Sequence, residues 1–298
     1  MEAYKHLSEI KKAYERGENI IQLLKKDEHQ VSNSVEDILV SYDLQAGSYT
    51  ASFRKRVDYV KSYASAIEKV ITKYAPRFDS IMEAGMGEAT TLANVLKSFK
   101  EIPQHSFGFD ISWSRVKYGN LFLNELGVPH CQTFVGDLFN IPLTDNSVEI
   151  VYTSHSIEPN SGKEKEILRE LYRVTSRYLI LLEPCYELGS PEAKKRMEKH
   201  GYITALQQSI QELGYDVKEF RLFDIYSNPL NPTGLTVISK DNKKSSPASE
   251  PFACPWTKTG LVNLKGAYYS HQSLLAYPVI DNIPCLLKTN AVVATHFV

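Results

Sequence analysis

The run Glu83-Ala-Gly85-Met-Gly87-Glu-Ala-Thr90 sets two glycines one residue apart and a carboxylate two positions before the first. Between a strand and a helix, such a loop lets the backbone approach a bound nucleotide-type cofactor, because Gly85 and Gly87 carry no Cβ. Further on, Phe107-Gly-Phe-Asp110-Ile111-Ser ends an apolar run with a carboxylate that can accept hydrogen bonds from both hydroxyls of a ribose. A third acidic position stands in Gly136-Asp137-Leu138-Phe-Asn-Ile-Pro142-Leu-Thr-Asp145. The segment Thr153-Ser-His155-Ser-Ile-Glu158-Pro-Asn160 follows. Its His155 has an intrinsic pKa near neutrality and suits removal of a proton from a nucleophile. Glu158 and Asn160 can orient that base or bind substrate hydroxyls. Each residue also has a plainer reading: Asp110 as a helix N-cap, Asp137 as a turn cap, Asn160 as a cap of the next helix, His155 as pocket wall. A short glycine pattern alone also serves dinucleotides, so a nicotinamide dehydrogenase competes for the loop. That rival does not call for Asp137 and Pro142.

These residues must be positioned by alternating strands and helices, the mark of an α/β fold with a parallel sheet flanked by helices. Strands are expected over 80–83, 105–110, 131–135 and 148–153, with helices over 90–99, 114–126 and 163–174. Tyr178-Leu-Ile-Leu-Leu182 is a continuous apolar run, as in a central strand buried on both faces. A helix over 193–213 ending at Gly214 and strands over 216–225 and 235–239 complete the sheet. Ahead of it, residues 1–40 show apolar positions at helical spacing, giving two or three helices broken near Gly17 and Ser32-Asn33. Tyr42 to Tyr49 reads as a loop, and 50–73 as one helix ended by Pro76. Asp241 to Pro251 is polar and proline-bearing, a linker.

The order of the motifs resembles that of the class I S-adenosylmethionine-dependent methyltransferases: an acidic-x-Gly-x-Gly loop, an acidic second-strand end, and Gly-Asp-x-x-x-x-Pro before the fourth strand. The resemblance spans about Ser80 to Tyr186. It implies a Rossmann-like sheet and S-adenosylmethionine as cofactor. Glu83, Gly85, Gly87 and Thr90 would cradle its methionine portion, Asp110 and Ile111 its ribose, Asp137 and Leu138 its adenine, with Thr153 beside them. The resemblance also places the base in the loop after the fourth strand, making His155 with Glu158 the catalytic candidates. Tyr42, Gln45 and Tyr49 fall where such enzymes carry a lid. Arg54 could meet the cofactor carboxylate or an acidic substrate, Asn160 could bind substrate hydroxyls, and Glu183 to Tyr186, after the fifth strand, faces the substrate side by topology. This chain has Ala89 where the family has a third glycine, and Val148-Glu149 where it has Phe-Asp.

The tail carries a second resemblance. Tyr277-Pro-Val-Ile-Asp281-Asn-Ile-Pro284-Cys-Leu-Leu287 is similar to small zinc-binding domains that activate methyltransferases. Only Cys254 of the expected thiolates is present, with Thr257, Ser270 and Ser273 in place of others. Structural zinc takes four Cys or His ligands, so no metal is expected.

The division expected is a helical cap over 1–50, the methyltransferase domain over 51–240, a linker over 241–251 and an activator-like domain over 252–298. Of 298 residues, 43% are hydrophobic and 23% charged, with a net charge of −1, so no global basic field draws the chain to nucleic acid or membrane. Mean hydropathy is −0.29. Met1-Glu-Ala-Tyr-Lys-His is not a signal sequence, no run is apolar enough for a bilayer span, and four scattered cysteines suit a cytoplasmic home. The 18 tyrosines suit a pocket with apolar walls and polar tips. The function expected is methyl transfer to oxygen or nitrogen of a small-molecule or glycan-type substrate. Methylation of tRNA, rRNA or a protein is the second reading, and a non-catalytic cofactor-binding scaffold the third. A homodimer is open.

Overall fold

The structure, a computed structural model, describes residues 3–18, 20–24, 34–240 and 251–298. The expected break at Ser32-Asn33 and all of the expected linker except Pro251 lie outside the described residues. The helical front holds α1 (Leu7–Glu15), α2 (Ile20–Leu24), α3 (Val35–Leu44), α4 (Ser48–Phe53) and α5 (Val57–Tyr74). Strands and helices then alternate as β1 (Ser80–Ala84), α6 (Thr90–Ser98), β2 (His105–Asp110), α7 (Trp113–Glu125) and β3 (Gln132–Val135). After β4 (Val148–Ser154) come α8 (Glu164–Val174), β5 (Thr175–Pro184), α9 (Pro191–His200) and α10 (Leu206–Glu212), and then β6 (Asp216–Leu222) and β7 (Thr233–Ser239).

These seven strands form one sheet in the order β3-β2-β1-β4-β5-β7-β6, parallel through β5 and antiparallel at β7 and β6. Chain order reverses direction across the sheet between β1 and β4. In open α/β sheets ligands lie outside the carboxyl ends of the strands at such a reversal. Successive side chains of a strand face opposite layers. Ile81, Ile150, Tyr152, Ile180 and Leu182 pack with Ile67, Ile71 and Leu92 of α5 and α6. Met82, Val151, Leu179 and Leu181 pack on the other face with Leu168 and Leu171 of α8. Both faces are covered, which explains the nearly continuous apolar runs of the central strands.

Three element expectations are corrected. Tyr42 lies inside α3, whose N-terminus is closed by a capping box of Ser34 and Asp37, so the 42–49 segment is a loop only over its middle. The single helix expected over 50–73 is α4 followed by α5, separated by Arg54–Arg56. The single helix expected over 193–213 is broken at Gly201, which takes φ 66° as the C-cap of α9, a backbone region open to glycine.

The connection from β3 to β4 contains no helix, so Phe109 and Phe134 would be left bare on that face. The tail covers them. Phe252 meets Phe134 edge to face at 5.1 Å and Tyr268 at 5.0 Å. The strands β8 (Val262–Leu264), β9 (Ala267–Ser270), β10 (Leu275–Ile280), β11 (Ile283–Pro284) and β12 (Val292–Val293) form a small antiparallel sheet. Just beyond β11, Cys285 pairs with Val135 and Leu286 N donates to Val135 O at 2.9 Å, closing the open edge of β3. Lys258 also reaches Glu170 of α8 at 2.8 Å.

Candidate methyl-donor site

The glycine loop is tight for a reason particular to this chain. Gly85 has φ 74°, and a Cβ there would stand 2.3 Å from Ser156 Cβ in the loop after β4. Ala89 takes φ 55° although it has a side chain, which costs on the order of 1–2 kcal/mol relative to an ordinary conformation. Asp110 then ties the neighbouring elements together. One carboxylate oxygen accepts from Gly87 N at 3.0 Å and the other from Ser112 N at 2.9 Å. Asp110 also lines the cavity, so it is a cap that stands on the pocket wall. Burial raises its pKa above the ordinary carboxylate value, with Arg115 and the backbone donors opposing. Glu83 is 2% exposed and accepts from Tyr152 Oη at 2.8 Å. Burial pushes it up to about 8, with that hydrogen bond opposing.

Asp137 caps its own turn, one oxygen accepting from Phe139 N at 2.7 Å and Asn140 N at 2.8 Å. The plainer reading of this residue is therefore correct as far as it goes. Asp137 also lines the cavity, together with Leu138. The Pro142 segment is clamped from α8: Arg173 donates to the carbonyls of Ile141 and Leu143, both at 2.7 Å, and Glu170 accepts from Ile141 N at 2.9 Å.

The helical front is hooked onto this loop by residues that motif reading missed. Glu88, fully buried, accepts from Gly47 N, Tyr49 N and Thr50 N at 2.9, 3.2 and 2.7 Å. It thereby satisfies the orphan donors at the start of α4. Asp43 of α3 accepts from Ser112 Oγ, Ser114 N and Ser114 Oγ at the start of α7. Arg115 donates from Nε to Tyr42 O at 2.9 Å, its guanidinium 4.6 Å from the Tyr42 ring centre and 4.4 Å from that of Tyr49. Two signals were there to be read. Glu88 is a carboxylate inside the glycine loop, and Arg115 is a cation in the first turn of a helix, where the macrodipole disfavours it.

Beyond β4, His155 sits at φ 56°, a region in which His is enriched among non-glycine residues but still uncommon. Its Nδ1 lies 2.8 Å from a Glu158 oxygen and its Nε2 2.8 Å from Thr233 Oγ1. Burial lowers the imidazole pKa, but the hydrogen bond and charge of Glu158, with Glu183 behind, outweigh it and the net shift is upward. Glu183 does not face the substrate side: it is 1% exposed and accepts from Ser156 N, Ile157 N and Glu158 N at 3.1–3.2 Å. Burial pushes its pKa up to about 7 against the nearby His155 charge. Its role is to hold the strained loop that presents His155.

A cavity of about 500 Å³ opens over these strand ends, well within the size of small-molecule sites. The structure brings together Glu83, Gly85, Gly87, Thr90, Asp110, Ile111, Asp137, Leu138, Tyr42, Tyr49, His155 and Asn160 on its wall. Six candidates are elsewhere, with Glu183 on its three backbone donors as the first. Gln45 donates to Ser41 Oγ within α3, Arg54 pairs with Glu125 on the surface, and Tyr186 donates to Glu198. Thr153 is buried in the strand and Glu158 stands behind His155. The far wall comes from residues not singled out in sequence: Arg56, Tyr59 and Tyr63, with Ser227, Asn228, Asn231 and Thr233 of the segment leading into β7.

Residues 81–177 match the family described as "Methyltransferase domain". The chain thus matches a methyltransferase domain over the stretch that holds β1 to β4 and α8. Among solved structures, magnesium protoporphyrin IX methyltransferase from Synechocystis PCC 6803 with bound SAH is similar at TM-score 0.51 and 11% identity, covering 67% of this chain and 98% of that one. A complex from Haloferax volcanii between the Trm112 methyltransferase activator and a methyltransferase is similar at TM-score 0.51 and 16% identity, covering 66% and 96%. At these identities the likeness is one of fold. The methyltransferase domain's residues fit S-adenosylmethionine on their own chemistry. Carboxylates stand at three successive strand ends, and a buried guanidinium Nη2, that of Arg115, has no hydrogen-bond partner. Among the described residues no group of three or more His, Cys, Asp or Glu could hold a metal, and no helix is long and apolar enough to cross a membrane. In the tail, burial raises the Cys254 pKa but hydrogen bonds from Ser273, Thr257 and Tyr277 outweigh it and bring the thiol to about 7. Hydroxyls of Ser273, Thr257 and Tyr277 therefore surround Cys254.

Proposed function

We propose that the chain methylates oxygen or nitrogen of a small-molecule or glycan-type acceptor. The observation that carries this reading is the cavity itself. One wall holds the donor-site residues, and the opposite wall holds tyrosines, asparagines and an arginine under a helical roof. S-adenosylmethionine supplies an electrophilic methyl on a sulfonium, so the protein's main task is alignment of the nucleophile. Asp110 and Asp137 orient the adenosine portion, and Glu83 with the glycine loop orients the methionine portion. Glu158 holds Nδ1–H of neutral His155, which leaves Nε2 as the acceptor atom. That atom now faces the Thr233 hydroxyl at 2.8 Å. An acceptor hydroxyl or ammonium entering beside Thr233 would give its proton to the same Nε2.

We further propose that residues 252–298 act in cis as an activator-like domain. The pairing of Leu286 with Val135 and the packing of Phe252 on Phe134 support a role in completing the sheet edge. The Haloferax volcanii complex holds an activator and a methyltransferase as separate chains; here the equivalent partner would be covalently attached and at high effective concentration. A transfer assay with labelled methyl donor against metabolite, RNA and protein pools tests the acceptor class. Label in the metabolite pool is expected. Label confined to RNA or protein would overturn the small-molecule reading.

A further inference from the structure

Among the described residues, three that line the cavity hold a buried polar atom without a hydrogen-bond partner: Arg115 Nη2, Ser156 Oγ and Asn231 Oδ1. They differ in kind. The Arg115 charge is compensated by Asp110 and Tyr49, and the Ser156 hydroxyl rotates and both donates and accepts. Asn231 Oδ1 accepts only, and a buried acceptor left bare is costly. Its orientation is fixed as well. Asn231 Nδ2 donates to one Glu158 oxygen at 3.3 Å, and because a carboxylate only accepts, the amide does not flip. The other Glu158 oxygen lies 2.8 Å from His155 Nδ1. One carboxylate therefore orients two side chains, and each presents an atom that needs a hydrogen, Nε2 of His155 and Oδ1 of Asn231. Thr233, two residues beyond Asn231, reaches Nε2 at 2.8 Å, so one segment brings its contacts to the same loop. Nε2 is covered by a hydroxyl and Oδ1 by nothing.

We propose that the methyl acceptor is a nitrogen carrying two hydrogens, a neutral amino group, and that Asn231 is the residue that selects it. The inference rests on the methyl-transfer reading of the cavity. One N–H donates to Asn231 Oδ1 and the other to His155 Nε2, in place of the Thr233 hydroxyl. The nitrogen lone pair is then left for the methyl carbon. The N–C bond forms as the C–S bond breaks, and the electron pair of the broken bond stays on sulfur. The nitrogen, now cationic, gives one proton to Nε2. The products are a secondary methylamine, a neutral thioether and a protonated His155. A hydroxyl acceptor brings one hydrogen, meets one of the two atoms and leaves the other bare, which is how a polar site rejects an analogue short of one donor.

Transfer from a carbon-13 methyl donor, with the full chain and with metabolite, RNA and protein pools, reads the methylated atom directly, because methyl groups on nitrogen, oxygen and carbon resonate apart in NMR spectra. Methyl on nitrogen is expected. Methyl on oxygen of a metabolite overturns this inference and leaves the proposed function standing, whereas methyl on carbon overturns both. Methyl on nitrogen of RNA or protein upholds this inference and overturns the small-molecule reading, and transfer to no pool overturns the two together. Asn231→Leu then tests the residue. The rate of N-methyl formation is expected to fall by about 10-fold or more, with S-adenosylhomocysteine affinity in calorimetry unchanged, which also shows that the variant is folded. The pH at which turnover climbs should stay at its wild-type position. An unchanged rate overturns the role of Asn231. So does a loss of rate that comes with a shifted climb, because Asn231 would then act as a support for Glu158 and not as a contact of the acceptor.

Discussion

On the strand-end wall of the cavity, Asp110 is held by two backbone N–H groups and the buried Glu83 by a tyrosine hydroxyl. On the facing wall, Arg56 lies 4.5 Å over the Tyr59 ring, exposed and without an ion pair among the described residues, and Tyr59 stacks on Tyr63 at 6.1 Å. The first wall is preorganised by the parallel sheet, whose register fixes each strand end. The second is assembled from one face of α5 and the segment before β7. A cofactor common to a fold needs the first kind of wall, and an acceptor particular to one enzyme needs the second.

The sharpest way to break the first wall is Gly85→Val. The positive φ and the 2.3 Å approach to Ser156 leave no room for a side chain, so cofactor binding should vanish in calorimetry; retained binding would mean the loop is not close-packed as described. Phe252→Ala probes the tail that seals the same half of the sheet. It should lower stability by about 3–5 kcal/mol in denaturant titration, and a neutral result would detach the tail from the sheet's integrity. On the facing wall, Arg56→Ala with Tyr59→Ala should raise KM for the acceptor while leaving cofactor affinity unchanged. Loss of cofactor affinity would erase the distinction between the walls.

Proton chemistry sharpens the comparison further. The His155 pKa is raised, so its neutral, proton-accepting form appears only above the ordinary histidine range of about 6.5. Turnover should climb with pH through that raised value. Glu158→Gln should move the climb to lower pH and reduce its height, because the partner that raises the pKa and fixes the tautomer is gone. An unchanged pH profile would remove His155 as the base. Glu83 gives a smaller effect on stability. Its folded pKa of about 8 lies above the unfolded value, so the folded state keeps a proton that the unfolded state has lost, and stability falls as pH rises from the unfolded value towards 8. Glu83→Gln should therefore melt higher than the wild type at pH 8.5, with the gap closing near pH 5. The reverse order would place an ionised Glu83 in a favourable site.

That Glu83, Gly85, Gly87, Asp110 and Asp137 would line one cavity was legible, because they come in short contiguous motifs, each at the end of one strand. Asp110 and Asp137 serve as caps and also line the cavity, so the plain reading of these residues does not remove them from the candidate site. The lid was misread where sequence proximity stood in for direction. Gln45 and Arg54 lie close in sequence to Tyr42 and Tyr49, yet at the ends of α3 and α4 Gln45 turns back to Ser41 and Arg54 reaches Glu125 on the surface. Glu183 was misplaced for a related reason: a strand end faces the cavity, but its carboxylate turned to three backbone donors. The acceptor wall was not legible, because Tyr59, Tyr63 and the 227–233 segment meet only after the sheet adds two antiparallel strands. Glu88 and Arg115 each carried a local anomaly that a reading confined to motif positions passes over.

The central claim is that three strand-end carboxylates form a methyl-donor site, and calorimetric titration of S-adenosylhomocysteine into wild type and Asp110→Ala tests it most directly. The wild type should bind, and Asp110→Ala should weaken binding by at least about 30-fold through loss of a charged acceptor and of the Gly87 and Ser112 contacts. A wild type that releases no heat, or a variant that binds equally well, would contradict the account.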